Sequence, residues 1–211
     1  MGRLQNILRR RHIWLLKTAF HGIAAGLLGY TYFLAFSDQL GGDPVKAILH
    51  FTGMGALNCL LLCLLVHPLS KWPQQAALMH MRRMIGLWSF AYALFHFVSY
   101  IVFELQLEWR MLIAEVIERP YITVGFAALL ILLALAATSM RNIQRLLGRR
   151  WQVLHHSIYI AGLLTVLHFI WSVKSGITEP LIYIAVLLFL LALRFKRVLR
   201  FYRNQASHHP T

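Results

Sequence analysis

Six apolar runs of nearly membrane-spanning length make up most of the sequence, at 13–36, 47–66, 84–103, 121–139, 151–173 and 181–199. Each run is close to the ~20 residues that a helix needs to cross the hydrocarbon layer of a bilayer. Because 59% of the 211 residues are apolar and only 13% are charged, the chain has too little polar surface to cover a soluble globule. The sequence therefore predicts an all-α integral membrane protein, a bundle of six transmembrane helices.

The basic residues are concentrated in alternate connections. Of the 21 Lys and Arg, 17 lie in or beside the N-terminus, the second and fourth connections and the C-terminus, whereas the seven acids lie in or at the edges of the opposite connections. By the positive-inside rule both termini are cytoplasmic. The expected organisation is a basic cytoplasmic N-terminus at 1–12, a six-span domain at 13–200 and a cytoplasmic tail at 201–211. This topology explains the net charge of +14 without a nucleic-acid partner.

The fifth run carries three histidines, His155, His156 and His168. Ionisable side chains inside a span are costly and rare, so each of them is a functional hypothesis. A neutral histidine can ligate a metal through one ring nitrogen, and imidazoles on facing helices can hold haem iron in a bundle. The competing interpretation is that these side chains only hydrogen-bond a neighbouring helix.

The third run contains one histidine, His96, whose depth can be compared with that of His168. Both runs lead outward from the cytoplasm, with His96 13 residues past Arg83 and His168 17 residues past Trp151. At ~1.5 Å per residue both lie in the outer half of the bilayer, within about one turn of each other. We therefore expect the two side chains to be able to face one another across a haem.

His155 precedes His168 by 13 residues, so it lies about 20 Å closer to the cytoplasm and cannot ligate the same iron. Thirteen steps of ~100° also place the two side chains roughly 220° apart around a straight helix. A kink, a π-bulge or an early helix start would be needed to turn both toward one channel, and Gly162 is a candidate position. His50 is expected near the outer face, where ligand and hydrogen-bonding residue are equally good interpretations.

A resemblance to a known family is carried by five motifs: HFTG at 50–53, RRMIGLWSFAYALFH at 82–96, RPYITVG at 119–125, LGRRWQVLHH at 147–156 and HFIWSVK at 168–174. Together they resemble the MsrQ family, the haem-binding membrane subunits of bacterial periplasmic methionine sulfoxide reductase systems. That family is grouped with the ferric-reductase-like transmembrane domains, which include the NADPH oxidases. In those domains, histidines on the third and fifth spans hold haems stacked across the membrane.

The resemblance implies a ligand set. His96 and His168 correspond to the axial pair of an outer haem b, and His155 corresponds to an inner haem histidine. The inner site departs from the four-histidine pattern of the oxidases, because Arg82 stands 14 residues before His96, where a second histidine would be expected. One haem b and two are both compatible with this sequence.

The resemblance also implies an electron conduit in the bacterial inner membrane. Electrons would come from quinol or from a cytoplasmic flavin reductase, with FMN as a family cofactor, and would leave to a periplasmic molybdopterin methionine sulfoxide reductase. Sulfoxide reduction itself is expected in that partner, which repairs oxidised periplasmic proteins. The sequence contains no strand–GxGxxG–helix unit, so the donor's nicotinamide chemistry belongs to another protein. Arg82 and the other inner arginines could hold a flavin phosphate or an anionic quinone ring, although topology alone also accounts for them.

Two other functional classes are open at this point. A self-contained ferric or quinone reductase of the cytochrome b type would share the haem ligands. A haem-free transporter or assembly factor would use the histidines as polar contacts or as a proton path. A low-spin b-type visible spectrum would eliminate the haem-free class.

Overall fold

The structure, a computed structural model, describes residues 2–69, 78–173 and 176–206, with side chains described between 12 and 193. The helices of these ranges are α1 (Gly2–Phe36), α2 (Pro44–Leu69), α3 (Met79–Ser99), α4 (Trp109–Glu118), α5 (Pro120–Ala137), α6 (Arg141–Leu147), α7 (Arg149–His156), α8 (Ile158–Ser172) and α9 (Thr178–Ala206). A π-helical turn, Tyr100–Glu104, extends α3. The predicted all-α class is confirmed for the described chain.

Five segments of the described chain are long and apolar enough to cross a bilayer: His12–Phe36, Pro44–Leu69, Met79–Glu104, Pro120–Ala137 and Arg149–Ser172. They coincide with the first five apolar runs of the sequence. Thr178–Leu193, in the first part of α9, is a shorter apolar helix. A sixth span and the cytoplasmic position of both termini stay predictions.

Two helix pairs form the centre of the bundle. α2 packs along α3 and α5 packs along α8, while contacts of α3 with α5 and of α2 with α8 join the pairs. α9 contacts α2 and α8, and α1 lies against α2 and α3. Leu57, Leu60 and Leu64 of α2 are each only 1% exposed, so α2 is the central helix of the core.

Small and hydroxyl-bearing residues let α2 and α3 approach closely. A Cβ added at Gly55 would stand 2.5 Å from the ring of Tyr92, and the Ser89 hydroxyl donates to the carbonyl of Ala56 at 2.9 Å. The Tyr92 hydroxyl donates in turn to the carbonyl of Ala24 on α1 at 2.8 Å. In a bilayer, where lipid tails are as apolar as the side chains, such close packing and hydrogen bonding hold helices together. They fix the register of the third span.

The fifth span is interrupted at Ser157 and is regular at Gly162. Ser157 lies between α7 and α8, and its N–H donates to the carbonyl of Leu154, three residues back, at 3.0 Å. Gly162 lies inside α8, where an added Cβ would stand 3.2 Å from Leu187 of α9. The interpretation of Gly162 as the irregular position is therefore wrong. Its lack of a side chain serves the close approach of α8 and α9.

Candidate functional site

His96 of α3 and His168 of α8 lie side by side where the two helix pairs meet. Their ring centroids are 6.1 Å apart and their planes are nearly perpendicular, at 83°. Both side chains are half-buried. The structure thus brings together the two histidines that the depth comparison places at the same level.

A backbone carbonyl of the neighbouring helix holds each of these imidazoles. Nδ1 of His96 lies 2.9 Å from the carbonyl oxygen of Leu49 on α2, and Nδ1 of His168 lies 2.7 Å from that of Tyr121 on α5. Because a carbonyl oxygen can only accept, Nδ1 carries the proton, and in the neutral imidazole Nε2 then keeps its lone pair. Metal-ligating histidines have this arrangement, in which the nitrogen that does not bind the metal donates to an outer partner.

A glycine makes room for each ring. A Cβ added at Gly53 would stand 3.2 Å from Nδ1 of His96, and one added at Gly125 would stand 2.6 Å from Nδ1 of His168. Each glycine lies four residues after the residue whose carbonyl accepts, which is one helical turn. The two half-sites are therefore built alike: a carbonyl and a glycine of one helix receive an imidazole from the next.

This pair of imidazoles would suit a haem iron. With a metal–nitrogen bond of ~2 Å and ~1.2 Å from that nitrogen to the ring centre, two rings on opposite sides of one metal would have centroids about 6.4 Å apart. The observed separation is 6.1 Å. Within the described ranges, no group of three or more His, Cys, Asp or Glu could hold a metal ion, and the candidate centre is this pair of imidazoles.

A hydrogen-bond network centred on Glu115 of α4 links the helix that carries His96 to the start of α5. Oε2 of Glu115 accepts from the hydroxyl of Tyr100 at 3.0 Å and pairs with Nε of Arg119 at 2.8 Å. Arg119 also donates to the hydroxyl of Tyr121, at 3.3 Å. The hydrogen bond to Tyr121 and the Glu115 carboxylate raise the pKa of the Arg119 guanidinium, which stays charged. Tyr121, whose carbonyl accepts from His168, is therefore itself held in place by this network.

A second cluster surrounds His155, near the other end of α5. Its ring stacks on that of Trp151, with centroids 4.0 Å apart and planes at 28°. Nε2 of His155 lies 3.2 Å from the hydroxyl oxygen of Thr138, and Nε1 of Trp151 donates to the Thr138 carbonyl at 2.9 Å. His155 therefore differs from His96 and His168, because its protein partner is at Nε2.

His155 and His168 both face α5, since Thr138 and Tyr121 lie at opposite ends of that helix. On a straight helix the smaller angle between the two side chains would be about 140°. The three-residue turn at Ser157 advances about 120° per residue in place of about 100°, which narrows that angle. The irregular turn that the spacing required is thus present, five residues before Gly162.

Arg82 lies at the start of α3, half-buried, where its positive charge acts on both His155 and His156. Its carbonyl accepts a weak hydrogen bond from the thiol of Cys63 at 3.5 Å. The structure therefore brings the positive charge of Arg82 near the cluster around His155, which we call the inner cluster after its predicted side of the membrane. Arg82 stands at the sequence position where the four-histidine pattern would have a second imidazole.

Residues 51–166, from α2 into α8, match the family described as "Ferric reductase like transmembrane component". Over 198 residues the chain is 43% identical to the protein-methionine-sulfoxide reductase heme-binding subunit MsrQ of Cronobacter sakazakii, covering 93% of this chain and 99% of that protein. The chain belongs to the MsrQ family. The resemblance carried by the five sequence motifs is confirmed.

Two of those MsrQ-like motifs contain the glycines that sequence reasoning missed. Gly53 ends HFTG and Gly125 ends RPYITVG, and each precedes its histidine by 43 residues. This equal spacing is the sequence signal that could have identified the two glycines. No sequence signal marks Leu49 and Tyr121 as the residues with accepting carbonyls, because every residue has a carbonyl.

His50, the other residue of HFTG singled out from the sequence, lies outside the histidine pair. Its side chain is exposed on α2, whereas Leu49, the residue before it, supplies the carbonyl that holds His96. A ligand role for His50 in this MsrQ-family chain stays a prediction.

Proposed function

We propose that the chain is a b-type haem membrane subunit that passes electrons across the bacterial inner membrane to a periplasmic molybdopterin methionine sulfoxide reductase. The observation that carries the proposal is the pair His96 and His168, with ring centroids 6.1 Å apart and both Nδ1 atoms bonded to backbone carbonyls. Haem bound between such ligands supplies one-electron redox chemistry. The printed name of the relative, a heme-binding subunit of a methionine sulfoxide reductase, supports the same assignment.

The residues of the chain would hold and orient the ligands. The carbonyls of Leu49 and Tyr121 hold the proton of each imidazole at Nδ1, which leaves the Nε2 lone pair for the iron, and such outer partners raise ligand basicity. Contact with Gly53 and Gly125 restricts rotation of the rings. Ligands fixed in this way would hold a haem in a preorganised geometry, which suits electron transfer.

At the predicted inner end, we infer that the residues around His155 bind FMN or a quinone and not a second haem. Nε2 of His155 is engaged by Thr138, and Arg82 stands in place of a second axial histidine. The stack of Trp151 on His155 offers a flat aromatic surface, and a guanidinium favours a phosphate or an anionic ring. Quinol or a cytoplasmic flavin reductase would deliver electrons at this end.

The predicted outer face suits a partner with a basic patch. Its connections carry seven carboxylates against four basic residues, a net charge of −3. Glu115 and Arg119 neutralise one another, which leaves this excess unchanged. Exposed charges are screened over ~10 Å at 0.1 M salt, so an encounter steered by this surface should be salt-dependent.

Reoxidation of the pre-reduced protein tests the proposed function. In detergent we expect the periplasmic methionine sulfoxide reductase, supplied with an oxidised-methionine substrate, to reoxidise it, and higher ionic strength to slow the reaction. His168→Ala should abolish the reaction. His21→Ala is the matched control, because His21 accepts a hydrogen bond from Trp88 on α3 and lies outside the pair.

Other outcomes would select other functions. Rapid reoxidation by ferric chelates, with none by the reductase, would favour a self-contained ferric or quinone reductase. Purified protein without a haem spectrum would favour a transporter or an assembly factor. Reoxidation that is independent of salt would assign docking to apolar contacts.

A further inference from the structure

A cationic cleft lies beside the inner cluster, at the junction of α6 and α7. It has a volume of about 490 Å³ and is lined by Arg141, Gln144, Arg145, Gly148, Trp151 and Gln152. Arg141 and Arg145 are four residues apart on α6, so they lie on the same side of that helix. Two guanidinium groups and two amides give the cleft a positively charged, hydrogen-bonding lining.

None of the seven acidic side chains lies in the connection that carries these arginines. The seven acids lie at 38, 43, 104, 108, 115, 118 and 179, all in or beside the opposite connections. The lining of the cleft contains no acid either. Guanidinium groups without a protein counter-charge favour a phosphate, whose oxygens accept two parallel N–H hydrogen bonds.

Three exposed apolar residues, here called the apolar border, stand next in sequence to residues that line the cleft. Leu146 is 86% exposed, Met140 is 55% exposed and Val153 is 42% exposed, and each is adjacent in sequence to a lining residue. A soluble phosphate would use only the cationic lining. A phospholipid would place its phosphate in the cleft and its acyl chains along this apolar border, so both parts of the surface would be covered.

We propose that the cleft binds the headgroup phosphate of an anionic phospholipid. Trp151 lines the cleft and also stacks on His155, so the headgroup lies one aromatic ring away from the inner cluster. Binding holds the α6–α7 junction at the membrane surface and restrains the ring on which His155 stacks.

Titration of the purified full chain with phosphatidylglycerol, followed by native mass spectrometry, tests the site. The double variant Arg141→Gln with Arg145→Gln should bind this lipid about 25-fold more weakly, because each arginine contributes about a factor of five. The double variant Lys46→Gln with Arg110→Gln removes the same charge from exposed residues in or beside the connections that carry the acids, away from the lining. It should bind the lipid like the unchanged protein, since charges more than ~10 Å from the site are screened at 0.1 M salt.

A second arm separates a lipid from a soluble phosphate ester. Leu146→Ser should weaken phosphatidylglycerol binding, and its 86% exposure means that folding does not depend on this side chain. Glycerol phosphate, which has no acyl chains, should bind the unchanged protein far more weakly than the lipid. Equal affinity of the two double variants for phosphatidylglycerol would overturn the proposal. Glycerol phosphate binding as tightly as the lipid would also overturn it.

Discussion

The imidazole of His168 lies directly against Gly125, so closely that a Cβ at position 125 would stand 2.6 Å from Nδ1. Gly125→Ala must therefore displace the ring or helix α5. Because Nδ1 is bonded to the carbonyl of Tyr121 on the same helix, either movement disturbs the hydrogen bond that fixes the tautomer. We expect this variant to retain less haem and to show an altered low-spin signal, measured by visible absorption and electron paramagnetic resonance.

Two other helix glycines complete a graded series. A Cβ at Gly53 would stand 3.2 Å from His96, so Gly53→Ala should have a similar but smaller effect. A Cβ at Gly86 would meet Cys63 at 3.5 Å, an ordinary contact. Gly86→Ala should leave the spectrum unchanged and, through helix propensity, add up to about 1 kcal/mol of stability. Identical spectra in all three variants would show that these glycines do not position the imidazoles.

Replacement of His155 tests the inner end. If this end holds a flavin or quinone and no haem, His155→Ala should leave haem content at one per chain. It should slow reduction by the donor about tenfold, the effect of ~1.4 kcal/mol on the barrier. Haem-to-protein quantification and stopped-flow reduction measure the two quantities. A haem content that falls by half would instead assign a second haem to His155.

Thr138 allows a finer test of the same cluster. Thr138→Val removes the hydroxyl that lies 3.2 Å from Nε2 of His155 and keeps the side-chain shape. We expect slower reduction by the donor with an unchanged haem spectrum. Thr165→Val is the control, because the Thr165 hydroxyl donates to the carbonyl of Ala161 within α8. Equal reduction rates in the two variants would show that the Thr138 contact has no part in electron uptake.

The Glu115 network should contribute to stability. Glu115 is only 13% exposed, and its carboxylate accepts from Tyr100. Glu115→Gln weakens this charge-assisted hydrogen bond, so we expect a loss of about 1 kcal/mol and a Tm lower by roughly 2–4 °C in detergent. Glu118→Gln, an exposed position on the same helix, should leave the Tm unchanged. Equal Tm values for the two variants would show that the network does not stabilise the fold.

The spans and the meeting of His96 with His168 could be predicted because both follow from one-dimensional quantities. Hydropathy marks where a helix can cross a bilayer, and a rise of ~1.5 Å per residue converts spacing into depth. The direction in which a side chain points around the helix axis is harder to predict, because a single irregular turn changes it. One tight turn at Ser157 brings His155 round to α5, and the sequence favoured Gly162 for that irregularity.

The sequence could not predict contacts that are made by the backbone or that depend on the absence of a side chain. Gly125 identifies a place without a side chain but does not say that His168 lies there. The α4 helix, Trp109–Glu118, lies in a connection too short to be predicted as a span, yet it supplies Glu115. Both features depend on how separate helices approach each other, which no local pattern encodes.

The visible spectrum of purified single variants at the histidine pair tests the haem assignment most directly. We predict that His96→Ala and His168→Ala each lose most of the low-spin b absorbance, because each removes one of two axial imidazoles. His21→Ala and His80→Ala, whose side chains lie outside the pair, should keep it. Retention of the full low-spin spectrum in both His96→Ala and His168→Ala would contradict the assignment.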